Sequence, residues 1–143
     1  MEDIVYSLKN LINNYPEQIY KEKILYYIEN DLTNKLTTLK GSPTVIYGNF
    51  ICNNNSLITL EGGPVRIVLT NSTYRVRKNK IKSLVGAPTY VGGEFDISNN
   101  SELESLEGIP QQVIGDFYCY NNKIEFTEAQ IRALCDVKGN VYV

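Results

Sequence analysis

The sequence predicts a mainly β solenoid of about five coils closed by helical caps, on three observations. One string recurs along the chain: Leu-x-x-Leu-x-Gly-x-Pro reads LTTLKGSP from Leu36, LITLEGGP from Leu57, IKSLVGAP from Ile81 and LESLEGIP from Leu103. A second set of positions recurs in step with it. Three residues past each proline stands an aliphatic (Ile46, Ile67, Val91, Val113), then an aromatic (Phe50, Tyr74, Phe95, Phe117). Two residues further comes Cys52, Val76, Ile97 or Cys119, and then an asparagine at 55, 79, 100 or 122. The third observation is that both ends lack the string and carry apolar residues at helical spacing. A unit of about 22 residues cannot bury its own apolar face, whereas stacked units share one continuous core.

In chain order, residues 1–35 form the N-terminal cap. Ile4, Val5, Leu8, Leu11 and Ile12 predict a helix over about 3–13. Asn14-Tyr15-Pro16 breaks it, and Ile19, Ile24, Leu25, Ile28 and Leu32 place a second helix that runs to about residue 30. Such a cap covers the sheet edge and leucines that the first coil would otherwise expose. Residues 36–143 are the solenoid. In each coil Gly-x-Pro makes a tight turn, because glycine allows positive φ and proline presets φ near −65°. The aromatic and the residue two beyond it share one face of a strand and point inward. The asparagines are placed to satisfy backbone groups in the turn that follows. The second coil lacks a counterpart to Gly48, Gly93 and Gly115 and carries about two extra residues, which predicts a bulge there. Thr127 with Gln130 predicts a capped helix over about 127–135. Val137, Gly139, Val141 and Val143 restate the earlier strand pattern as a last strand.

The pattern of an apolar-x-apolar strand followed by x-x-Asn-x-Leu resembles the leucine-rich repeat, in the short proline-containing form of bacterial and phage proteins. The resemblance covers residues 36 to about 124. It implies a right-handed solenoid with a short parallel sheet on its concave side. Its function, on the same resemblance, is that of a small phage- or bacteria-encoded intracellular effector that inhibits or redirects a host protein, for instance as an anti-defence component.

Composition removes chemistry. The chain has no histidine, which excludes histidine general bases, Ser-His-Asp and Cys-His nucleophiles and the commonest metal ligand. Cys52, Cys119 and Cys135 are too few and too scattered for a disulfide framework or a zinc site. No catalytic, metal or cofactor residues are therefore assigned. Met1-Glu2-Asp3 is acidic where a signal peptide needs positive charge, and no apolar run approaches a membrane span, so the expected location is the cytoplasm without membrane contact. In that setting the Asn-x-Ser/Thr strings at Asn54, Asn71 and Asn99 are accidental matches to glycosylation acceptors.

If the aromatic column points inward, the alternating residues point outward: Asn49, Ile51 and Asn53, then Thr73, Arg75 and Arg77, then Glu94, Asp96 and Ser98, then Asp116, Tyr118 and Tyr120, and finally Asn140 and Tyr142. Tyrosine with arginine on a face that should be wet is the vocabulary of protein interfaces. The expected partner is a protein, and the residues chosen to bind it are Arg75, Arg77, Asp96, Tyr118 and Tyr120. Two alternatives use the same face. The Arg75/Arg77 patch, within the basic run to Lys82, could bind nucleic acid, against a net charge of −2. Glu94, Asp96 and Asp116 could serve glycoside chemistry as neighbouring carboxylates.

Overall fold

The computed structural model describes residues 36–143, so the cap expected over 1–35 lies outside the described residues. Ten two-residue strands and one helix follow in order: β1 (Val45–Ile46), β2 (Phe50–Ile51), β3 (Arg66–Ile67), β4 (Tyr74–Arg75), β5 (Tyr90–Val91), β6 (Phe95–Asp96), β7 (Gln112–Val113), β8 (Phe117–Tyr118), α1 (Glu128–Leu134), β9 (Asp136–Val137) and β10 (Val141–Tyr142). They form two parallel five-stranded sheets, β1-β3-β5-β7-β9 and β2-β4-β6-β8-β10. The chain winds through about four turns, contributing one strand to each sheet per turn, and the last pair of strands closes the stack.

The single strand expected in each coil is thus two short strands separated by a bend. Glycine explains the bend where it occurs. A Cβ on Gly93 would lie 2.4 Å from the Ser72 carbonyl oxygen, and one on Gly115 would lie 2.7 Å from the Gly93 carbonyl carbon. At these corners neighbouring coils touch backbone to backbone, and no side chain fits between them. The second coil has no glycine here. Six residues separate β3 from β4, against three between β1 and β2. The three added residues leave the coil as a turn, in which Ser72 N–H donates to the Leu69 carbonyl at 3.1 Å and Asn71 takes φ +66°.

The inner columns follow the sequence pattern. Phe50, Tyr74, Phe95 and Phe117 are 0–1% exposed and in register across the second sheet. Their ring centroids are 5.3, 5.4 and 5.0 Å apart in succession. Cys52, Val76, Ile97 and Cys119 form the adjacent column, Ile46, Ile67, Val91 and Val113 line the first sheet, and the Leu-x-x-Leu residues close the remaining wall. The turn after each second leucine has an i+3 to i hydrogen bond (Ser42 to Leu39, Gly63 to Leu60, Ala87 to Leu84, Ile109 to Leu106), with the glycine at φ +84° to +94°. A type II turn requires that left-handed position, which is why glycine recurs in the string.

The asparagines form a ladder. Asn55 accepts from Leu36 N–H at 3.0 Å and Asn79 accepts from Leu57 N–H at 3.1 Å. Asn100 and Asn122 each accept from the backbone N–H of the preceding ladder asparagine, both at 2.8 Å. Each amide nitrogen donates to carbonyls of its own coil or the one before, as Asn100 does to Ile97 at 2.9 Å and Val76 at 3.2 Å. Asn100 is fully buried. The extra residue after it is absorbed by a turn in which Leu103 N–H donates to the Asn100 carbonyl. The residue before each ladder position (Asn54, Lys78, Asn99, Asn121) has φ between +56° and +60°. Asparagine tolerates that conformation better than most residues, which accounts for the paired asparagines at 54–55, 99–100 and 121–122.

α1 begins as expected. The Thr127 hydroxyl accepts from Gln130 N–H while the Gln130 side chain accepts from Thr127 N–H, a reciprocal capping box. Ile131 is its buried residue, and Cys135 follows as the C-cap.

Candidate interaction face

The pairing of the second sheet puts Ile51, Arg75, Asp96, Tyr118 and Tyr142 in one outward row. Arg77, Ser98 and Tyr120 stand two residues further along three of these strands. The face divides into two halves, one charged and one aromatic.

The charged half is knitted together. Arg75 Nη2 meets Glu94 Oε1 at 3.3 Å, and Arg75 Nε and Arg77 Nε lie 3.6 and 3.7 Å from Asp96 Oδ2. Asp96 Oδ1 accepts from the Ser98 hydroxyl at 2.6 Å and from Ser98 N–H at 3.0 Å. Asp96 is only 5% exposed, whereas the two arginine side chains are about a third exposed. Asp96 therefore sits beneath two guanidiniums and reaches the surface through them. Both Nε groups are buried without an acceptor at hydrogen-bonding distance, so each guanidinium has donor capacity that the cluster leaves unused.

The aromatic half is open. Tyr118 and Tyr142 stack with centroids 4.8 Å apart and planes 12° off parallel, and Tyr120 meets Tyr118 edge-on at 6.5 Å. Tyr142 is 42% exposed. Partial desolvation raises the Tyr118 phenol above its usual range, and the negative charges of Glu94 and Asp116 add to the effect. The Tyr118 phenol is therefore a protonated donor at neutral pH.

Of the five residues chosen from the sequence, Arg75, Arg77 and Asp96 form one cluster and Tyr118 and Tyr120 another. Asn53, Thr73 and Ser98, also expected to face out, are 7%, 9% and 0% exposed. Asn53 and Thr73 sit low because side-chain amides bridge to the next coil, Asn53 Oδ1 accepting from Arg77 N–H and Asn49 Oδ1 from Thr73 N–H, both at 2.8 Å, whereas Ser98 is held against Asp96 of its own coil. Tyr142, not among those five, completes the aromatic cluster. Its signal was the register itself, since Tyr142 repeats the position of Tyr118 one coil on.

Two concavities adjoin the face. One of about 210 Å³ is lined by Gly93, Gly115, Glu94 and Asp116. Asp116 already accepts from Asn140 N–H at 2.7 Å. A larger one of about 440 Å³ lies between Tyr120 and α1. Among the described residues, no group of three or more acidic or cysteine side chains is arranged to hold a metal ion, and no helix is long and apolar enough to cross a membrane. Burial holds the Cys119 thiol up at about 12 and the Cys135 thiol at about 11, so both are neutral core groups. Compared with family models, with curated proteins and with solved structures, the chain finds no match in any of the three.

Proposed function

We propose that this chain is a non-catalytic protein-binding module of the short leucine-rich-repeat type, a small phage- or bacteria-encoded intracellular effector that binds and inhibits or redirects a host protein. The observation that carries the reading is the aromatic half of the second sheet. Three tyrosines pack ring against ring on the outward side of the sheet, part-exposed to solvent, beside two arginines aligned by a buried carboxylate. Tyrosine loses little side-chain entropy on binding, and tyrosine with arginine is enriched at the energetic centres of protein interfaces. The nucleic-acid alternative loses support because Glu94 and Asp96 neutralise the arginines locally. The glycosidase alternative loses support because Asp96 is buried under ion pairs and Asp116 is committed to a backbone N–H.

The test is photo-cross-linking with benzoyl-phenylalanine placed at position 118 or, as control, at position 90 on the first sheet. In host lysate the probe at 118 should give one discrete protein adduct and the probe at 90 none. Equal labelling from both positions, or adducts that nuclease removes, would refute the reading.

A further inference from the structure

We propose that the pocket between Tyr120 and α1 takes a basic side chain, lysine or arginine, presented by the protein partner. The inference rests on the protein-binding reading for the source of that side chain and on the pocket for its chemistry. The pocket, of about 440 Å³, is lined by Tyr120, Phe126 and Val143 together with Glu125 and Glu128, both of them exposed. Ligand pockets begin at roughly 300 Å³, so this one has room for a long side chain.

Its lining carries two carboxylates and no cation. Glu128 is tied to Arg132 Nε at 2.7 Å. Glu125 has neither a hydrogen bond nor an ion pair among the described residues. An ammonium or guanidinium entering here would meet an uncommitted carboxylate and the face or edge of two aromatic rings, while its aliphatic stem lay along Val143. An acidic side chain would meet like charge, and an apolar one would gain no charge-assisted contact from Glu125. The Cys119 thiol in the lining is neutral, so it neither repels nor competes. The pocket is continuous with the tyrosine cluster through Tyr120, which meets Tyr118 edge-on and also walls the cavity. A partner lying on the tyrosines can therefore place one basic side chain into it.

The experiment is an NMR titration of the full ¹⁵N-labelled chain with N-acetyl-arginine methylamide and N-acetyl-lysine methylamide, against the norleucine and glutamate analogues. The basic probes should shift the Asn121 and Glu125 to Glu128 amides saturably, at least tenfold more tightly than the other two. Glu125→Gln should weaken the arginine probe threefold or more without moving resonances of the coils. Overturning results are no saturable shift, equal shifts from norleucine, or the same shifts produced by raising protein concentration alone, which would give the pocket to a second copy. The titration needs no partner protein, so its failure is distinct from failure of cross-linking at position 118.

Discussion

The inner column and the outer row of the second sheet are built from the same strands, one residue apart, and obey different rules. The inner column (Phe50, Tyr74, Phe95, Phe117) is nearly uniform in size and almost wholly buried. The outer row changes character from coil to coil, from Ile51 through Arg75 and Asp96 to Tyr118, and repeats only in its last step to Tyr142. A stack of coils needs each layer to fit the next, so repetition belongs to the core. Where repetition stops on the outer row, the fold does not require the residue, and that is where binding specificity can reside.

The comparison predicts large stability effects inside and small ones outside. Phe95→Ala should cost about 3–5 kcal/mol in urea unfolding, because the ring lies between two neighbours in the column and the coils cannot close over the hole. A cost below about 1 kcal/mol would show that the column does not hold the stack together.

Asn100→Leu comes next, at about 1–3 kcal/mol, since it strips acceptors and donors from buried backbone groups of two coils. The same change at Asn122, half-buried at the last ladder position, should cost less. Equal costs would mean that burial does not set the ladder's value.

The outer row has one element that behaves like the core. Arg75→Ala with Arg77→Ala should destabilise by about 1–3 kcal/mol, below the roughly 3–5 of a fully buried pair because both guanidiniums are part-exposed. Asp96→Asn in the same background should recover part of that loss, since the buried charge is what the truncation strands. Without such recovery, Asp96 is not held by the arginines.

The inner column also has one member that breaks its rule. The Tyr74 phenol is buried with no hydrogen-bond partner, and desolvation pushes its pKa well above the usual value. Tyr74→Phe should therefore be neutral or stabilising by up to about 1 kcal/mol in the same unfolding assay. A clear loss of stability would reveal a partner for that hydroxyl.

These cases show what a sequence of this kind discloses. The columns, the ladder, the turn glycines and α1 were legible because each is enforced by a short-range spacing that recurs or by a local capping pattern. The split into two sheets was not, because Gly48, Gly93 and Gly115 read as strand residues until coils are brought into backbone contact. The direction of Asp96 was legible from alternation. Its depth was not, because that depends on arginines of the preceding coil folding over it. The pocket beside Tyr120 depends on where α1 sits relative to β10, a tertiary relation with no periodic signature.

The central claim is that the outer tyrosines bind a partner and do not hold the fold. It is tested most directly by Tyr118→Ala with Tyr142→Ala, measured for partner capture and for thermal unfolding. Capture should fall by more than about 30-fold, the equivalent of about 2 kcal/mol, while unfolding shifts by no more than about 1.5 kcal/mol, the worth of one aromatic pair. Capture that survives this change would contradict the account.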